Sequence, residues 1–368
     1  MTPPRVADLL ARPCPWLASA GTEGGVVVSS RVRLARTWAG WSFHRKLSRA
    51  RQEELTTRLA EHVAAVLPDA TVYTMAGLDE LERTALAERQ VVSRELASAK
   101  RPGAVVVEEA DGLVVSALIN EEDHLRLQVF APGLDLTRPL ARAVAIDQAL
   151  EKRVAWATHP RLGYLTACHT NVGTGLRASC MLHLPALSET GELKQVLRAL
   201  SVLHMAVRGD HGEGSEAAGH CYQISNARTL GHDEGWYAVG IREAVVRVVQ
   251  AELLARRQLL AKARARLEDK VFRAWGVLIG ARRLTTEELA TEASWVRLGT
   301  ALDVLDQDTW AIPTERRWRI LDQLTLLPQP AHLQVLAGAT MDAPLRDEHR
   351  ATIVRTLLAG RTTDYSGT

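Results

Sequence analysis

Close cysteine pairs are missing from this 368-residue chain: its four cysteines, Cys14, Cys168, Cys180 and Cys221, are scattered. Zinc sites are built from close pairs, so no metal site is expected. An excess of one charge is missing too. Against 45 basic residues stand 43 acidic ones, a net charge of +2. No global field therefore draws the chain to nucleic acid or to a membrane, and we expect neither as a partner. No run approaches the roughly 18 uninterrupted apolar residues of a membrane span. The opening MTPPRVADLLARPCPW lacks the continuous apolar core of a signal peptide. The expected compartment is the reducing cytoplasm, with the cysteines as thiols. Repeats and low-complexity tracts are absent as well. What remains is 46% hydrophobic and 24% charged, the balance of an ordinary globular protein long enough for two domains.

Periodicity divides the chain. From about Val26 to Leu230, short β-type runs alternate with helical segments. VVVSSRVRLA, GAVVVEEADGLVVSALIN and HLRLQVFAPG read as strands, with Asp111-Gly112 as the turn inside the second. ASCMLHLPAL is another strand, stopped by Pro185, and GELKQVLRALSVLHM has helical spacing. Strands joined by short turns favour a mostly antiparallel sheet flanked by helices, an α+β layout. From Ile241 to about Val277 the chain has no proline, and no glycine before Gly276, which predicts one long amphipathic helix. Helices are expected around 286–305, 315–326 and 346–358, punctuated by prolines. We therefore place an N-terminal segment at 1–25, an α+β domain at 26–240 and an all-helical C-terminal domain at 241–368.

Five segments stand out, SSRVR (29–33), NEEDHLR (120–126), CHTNVGTGLRAS (168–179), VRGDHGEGSE (207–216) and YQISN (222–226), and the first four put arginine, carboxylate or glycine where a core would want apolar residues. Arg31 and Arg33 share one face of a strand, because side chains alternate. Two adjacent guanidiniums repel unless they share an anion, and a polyphosphate matches their planar forks; a solvated outer face fits the same pair. Arg126, Arg177 and Arg208 each end a similar motif and are candidates for the same anion. Glu121, Glu122 and Asp123 lie between apolar strands, which marks a strand end facing a cleft. Glu213 and Glu216 form a second acidic group in a glycine-rich loop. Acids on two separate segments would grip a cation; acidic turns in solvent fit as well. Cys168 stands beside a glycine-rich turn, where a thiol ionises more readily, although a lone cysteine is also a common small core residue. The turn NVGTGLR is not the P-loop pattern, which would need Gly-Lys-Ser or Gly-Lys-Thr.

In this order the five segments resemble the phosphagen kinases, the family of creatine and arginine kinases, over about residues 26–235. Within that family the chain is most similar to the bacterial protein-arginine kinases, as the phrase RASCMLHLPAL also suggests. The resemblance implies the phosphagen-kinase catalytic fold. It makes Arg31, Arg33, Arg126, Arg177 and Arg208 the nucleotide-phosphate arginines, with Ser29, His124, Ser179, Met181, Ser225 and Asn226 lining ATP. Met181 stands where metabolic members usually carry a histidine against adenine. Glu122 matches the catalytic carboxylate, Glu121 and Asp123 its substrate-binding neighbours, Glu213 the second guanidinium-holding glutamate and Cys168 the reactive cysteine. The chain departs from the family at His169, where a proline is usual, and at His211, where metabolic members carry a further arginine.

The chemistry agrees with the resemblance. A guanidinium with a pKa above about 12 has no free lone pair at neutral pH. A carboxylate that takes its proton and orients the attacking nitrogen meets that need. Glu122 is the expected base, Glu213 the co-clamp and Cys168 a charged aligner. Arginines and a magnesium ion held mainly by the nucleotide would neutralise the transferred phosphoryl group. Only 28 residues precede Ser29, too few for the helical domain with which metabolic members cover a small guanidine, so arginines on proteins are the expected substrates. In the tail, Arg346, Asp347 and Arg350 match the family's phosphoarginine-binding motif; an ordinary capped helix start with an ion pair fits too. The resemblance further implies a mark for regulated proteolysis in a stress response, a zinc-containing activator, a Clp-type unfoldase and self-association through the tail. Two alternatives stand beside it: a free-arginine kinase, and a non-catalytic phosphoarginine adaptor.

Overall fold

The computed structural model describes residues 4–17, 23–209, 212–213 and 218–361, apart from the side chains of Glu213 and Ala218. In chain order its elements are α1 (Val6–Leu10), β1 (Val27–Arg36), α2 (Arg49–Val66), β2 (Thr71–Thr74), α3 (Glu80–Glu88), α4 (Arg94–Ser98), β3 (Ala104–Ala110), β4 (Leu113–Ile119), β5 (Leu125–Pro132) and α5 (Thr137–Glu151). Next come β6 (Thr158–His159), β7 (Gly163–Tyr164), β8 (Leu176–His183), α6 (Pro185–Thr190), α7 (Leu193–Val202), β9 (Met205–Gly209), β10 (Gly212–Glu213) and β11 (Cys221–Asn226). The remainder is helical: α8 (Glu234–Lys262), α9 (Arg264–Gly280), α10 (Thr286–Ala301), α11 (Thr314–Leu326), α12 (Pro330–Ala337) and α13 (Ala343–Leu358). The fold is α+β, with a mostly antiparallel sheet flanked by helices and a helical C-terminal region. Among the described residues no helix is long and apolar enough to cross a membrane.

The chain forms two compact units, each assembled from discontinuous segments. The first comprises Met1–Trp16, Ser29–Ser179 and Ser225–Arg242. In its sheet β1, β5, β4, β3 and β2 are neighbours in that order and pair antiparallel in succession. Because cross-strand partners share a face, Val32 opposite Val129 and Leu34 opposite Leu127 present one apolar side. Leu55, Leu59 and Val63 of α2 and Ala143, Ile146 and Leu150 of α5 are buried with them. Each buried valine, leucine or isoleucine among them stabilises the fold by about 1.5–3 kcal/mol.

The other face is set by the same register. Arg31 lies opposite Phe130, Arg33 opposite Gln128 and Ala35 opposite Arg126. Strand alternation therefore brings Arg31, Arg33 and Arg126 to one side of the sheet.

The second unit comprises Leu17–Val28, Cys180–Ile224 and Glu243–Thr368. Its core is tied by buried polar groups. Glu252 of α8 is fully buried and accepts hydrogen bonds from Ala186 N (3.1 Å) and Leu187 N (2.9 Å) in the first turn of α6, and from Arg256 Nε (2.9 Å). Ser294 Oγ of α10 lies 2.7 Å from both His183 Nε2 and His220 Nδ1. The long helix expected over 241–277 is two helices, broken at Ala263, where φ is −141° and ψ 32°. Helix α12 was not foreseen, although Pro330 in its first turn is a fitting start.

Candidate active site

The first unit holds most of the expected site. Burial, and then the charges of Arg31, Arg126 and Arg177, push the Arg33 guanidinium well below its ordinary pKa, while Glu121 opposes them. Arg31, Arg126 and Arg177 are thus near enough to act on the Arg33 charge. Arg33 Nε is buried and makes no hydrogen bond. Arg31 lies over the Phe130 ring at 5.5 Å.

Arg126 joins this cluster to the acids. Its Nη1 donates to Glu121 Oε1 at 2.6 Å and its Nη2 to Glu122 Oε2 at 2.7 Å. The acids sit on a turn that the backbone forces. Asn120 has φ +56°, its N–H donates to His124 O (2.9 Å) and its Nδ2 to Pro102 O (2.6 Å). Arg101 holds the turn from outside through Asn120 O (3.0 Å) and Glu121 O (2.8 Å). His44 Nδ1 donates to Glu122 O at 2.9 Å. Glu121 is 1% exposed, and its Oε1 also accepts from Ser93 Oγ at 2.7 Å. The Glu122 side chain is 33% exposed, so it is the acid of the three that faces solvent.

Asp123 has a different task from the substrate contact expected of it. It is fully buried, and its Oδ1 accepts the Ala167 N–H at 2.6 Å, next to Cys168. Burial pushes its pKa up to about 6, although the Ala167 bond and Arg126 pull the other way. Asp123 thus anchors the cysteine loop. Thr166 Oγ1 donates to Cys168 O (2.7 Å), and Cys168 Sγ lies 3.0 Å from Thr170 Oγ1. Cys168 is half-buried and His169, in the short 3-10 turn that follows, is exposed.

Other expected nucleotide contacts also prove to be internal. His124 is fully buried; its Nδ1 accepts the Trp38 N–H and its Nε2 donates to Ser42 O, both at 3.0 Å. Burial lowers its pKa to about 4, so it stays neutral. Asn226 braces β8 and the segment after β11: its Oδ1 accepts Ala178 N (2.8 Å), and its Nδ2 donates to Leu176 O (3.0 Å) and Arg228 O (2.7 Å). Their hydrogen-bonding capacity is spent inside the protein. Ser29, Ser179 and Ser225 are buried, Ser179 Oγ lying 3.5 Å from Arg31 O.

In the second unit Met181 is half-buried on β8 and Arg208 exposed on β9. The Glu213 backbone pairs with Arg208, while its side chain, His211 and Glu216 lie outside the described residues. In the tail Arg350 is 1% exposed and donates to Pro328 O (2.8 Å), Leu284 O (2.6 Å) and Asp347 Oδ1 (2.6 Å). It positions Asp347 rather than presenting a fork for phosphate. Arg346 and Asp347 are half-buried.

Sequence reasoning missed the supports. Arg36 pairs with Asp147 through Nε and Nη2, the shortest contact being 2.6 Å, and its Nη1 donates to Thr174 O at 2.9 Å. Thr229 Oγ1 donates to Thr170 O (3.0 Å) and Val172 O (2.7 Å). Ser93, Arg101, Arg36 and Thr229 lie outside the motifs or at their edges, and only pairing in space reveals them. Among the described residues no group of three or more histidine, cysteine or acidic side chains is gathered as a metal-ligand set.

Residues 52–255 match the family model of the ATP:guanido phosphotransferase C-terminal catalytic domain, and residues 264–366 that of the protein-arginine kinase McsB C-terminal domain. The protein-arginine kinase of Moorella thermoacetica is 40% identical over 359 residues, covering 95% of this chain and 99% of that one. That of Halalkalibacterium halodurans is 38% identical over 347 residues, covering 94% and 95%. Among solved structures, the duplicated taurocyamine kinase of Schistosoma mansoni aligns with a TM-score of 0.57 at 22% identity, over 79% of this chain and 48% of that one. A lombricine kinase aligns with a TM-score of 0.55 at 23% identity, over 70% and 72%. Family models and relatives agree: the chain belongs to the protein-arginine kinases, guanidino phosphotransferases that phosphorylate arginine in proteins.

Proposed function

We propose that Glu122 is the base that takes the proton from the target guanidinium, and that ATP supplies the phosphoryl group. The observation behind this reading is Arg126, which bridges Glu121 and Glu122 from within the cluster of Arg31, Arg33 and Arg177. One side of the site attracts phosphate and the other a cation, and they meet at a single residue. A guanidinium entering beside Glu122 would displace the Arg126 fork, freeing it for the nucleotide phosphates. Arg31, Arg33, Arg126, Arg177 and Arg208 would neutralise charge on the transferred group, with magnesium bridging nucleotide oxygens. Cys168 would align the substrate nitrogen, and Glu213 would hold it from the glycine-rich loop. Positioning and electrostatics supply the rate.

In this reading the product is an acid-labile phosphoramidate that marks proteins for regulated proteolysis in the cytoplasm. The helical tail from residue 241 recognises it through Arg346 and Asp347, with Arg350 behind them, and carries self-association. An activator and an unfoldase belong to the same proposal.

The test mixes purified protein and Mg-ATP with either an arginine-rich protein or free arginine and measures acid-labile phosphate. Label on the protein is expected; label on free arginine alone would reject the protein-level reading. Glu122→Ala should lower turnover at least a thousandfold, roughly 4 kcal/mol, while ATP still binds. Retained turnover would remove Glu122 as the base.

A further inference from the structure

One surface of the first unit has no part in the site as described. Thr229, buried, clasps the back of the cysteine loop through Thr170 O and Val172 O, and its own carbonyl accepts Thr174 N at 2.9 Å. The fit is close: a Cβ on Gly173 would lie 2.2 Å from Thr229 O and 3.0 Å from Leu230 Cα. Directly after this clasp the chain turns outward. Leu230 is 51% exposed, Trp236 54% and Val239 56%.

The aromatic group is open to solvent yet packed within itself. The His232 ring stacks on Trp236 at 3.7 Å and 11°, and Tyr237 meets Trp236 edge-on at 5.3 Å. Tyr237 is itself buried, its hydroxyl donating to Leu230 O at 2.8 Å. Trp236 N donates to Asp233 Oδ1 at 2.7 Å, fixing the first turn of α8. A tryptophan held in one orientation with half its surface in water has prepaid the ordering cost of binding, and such residues dominate interface energetics.

We propose that Leu230, His232 and Trp236 form a docking surface for an apolar or aromatic side chain that flanks the target arginine in a protein substrate. This deepens, and rests on, the reading in which Cys168 lies beside the target guanidinium. The occupant follows from continuity. The platform and the cysteine loop are one hydrogen-bonded piece, so a polypeptide that presents arginine to that loop must run across neighbouring surface. Free arginine has no group to place there. Exposed Asp233 and half-buried Glu234 at the rim suit a basic segment, although exposed Arg228 also lies nearby in the chain.

The test uses the full chain, Mg-ATP and two blocked peptides that differ in one residue beside a single arginine, phenylalanine in one and serine in the other. The wild type should prefer the phenylalanine peptide about tenfold in kcat/KM, equivalent to about 1.4 kcal/mol, through KM. Trp236→Ser should abolish the preference while the serine peptide reacts at its wild-type rate, and Trp236→Phe should restore most of it. Equal losses on both peptides would mean that Trp236 merely supports the loop, and absence of a preference in the wild type would equally sink the proposal. A fall in molar mass of Trp236→Ser on sedimentation, with the preference intact, would assign the surface to a second copy of the chain. Failure to label either peptide or an arginine-rich protein would instead overturn the underlying reading of the site.

Discussion

Glu121, Glu122 and Asp123 are neighbours in the chain and differ in environment. Glu121 is closed in by Ser93 and Arg126, Glu122 faces solvent, and Asp123 is buried against Ala167. The left-handed Asn120 starts the tight turn that separates them. With its pKa raised to about 6, Asp123 gains a proton as pH falls through that value. The charge-assisted bond to Ala167 N–H then weakens, and the cysteine loop loses its anchor. Activity of the wild type should therefore decline below about pH 6. Asp123→Asn keeps an acceptor but not the charge; it should lower kcat roughly tenfold, consistent with the 1.5–3 kcal/mol of a hydrogen bond to a charged group, and flatten the acid limb. If the limb stays at the same pH in the variant, another group owns it.

At the scale of elements, the loop between β7 and β8 is gripped from two sides. Arg36 reaches Thr174 O while pairing with Asp147 of α5, and Thr229 clasps the backbone around Gly173. Gly173 has φ +119°, and an added Cβ would meet Thr229 backbone at 2.2 Å, so substitution is both strained and obstructed. Gly173→Ala is expected to cost about 2–4 kcal/mol and most of the activity. Gly112, with φ +72° but open space around it, is the control. Gly112→Ala should cost only about 1 kcal/mol and leave turnover unchanged; urea denaturation and a phosphorylation assay separate the two. The Asp111-Gly112 turn was legible because both residues sit locally in left-handed backbone. The break at Ala263 was not: alanine, lysine and arginine around it all favour helix, so local propensity gives no sign of it.

For the molecule as a whole, the adjacent pair Asp123 and His124 sets opposing responses to acid. His124, depressed by burial from 6.5 to about 4, is protonated first in the unfolded chain, so its contribution to stability is lost as pH falls from about 6.5 towards 4. Asp123, raised from 3.8 to about 6, is protonated first in the folded chain, so stability is gained as pH falls from about 6 to 4. Each is worth on the order of 3 kcal/mol, and they largely cancel. Asp123→Asn removes one side of the balance. Between pH 6 and 4 its urea stability should drop relative to the wild type by on the order of 3 kcal/mol; parallel curves would refute the compensation.

Local sequence determined the strands, their faces and the order of the motifs, because side-chain alternation, turn residues and charge placed among apolar runs are properties of neighbouring residues. It was enough to read Arg31 and Arg33 as one face and Glu121, Glu122 and Asp123 as acids at a strand end; that Glu122 is the one facing solvent came from the structure. Tertiary structure alone decided the division of labour: that His124, Asn226 and Arg350 bond inside the protein, that Asp123 gives one oxygen to Ala167, and that Arg36, Ser93, Arg101 and Thr229 brace the acidic turn and the cysteine loop. Whether a polar side chain is available to a ligand depends on which distant backbone groups reach it first, and that competition is settled only when the chain has folded.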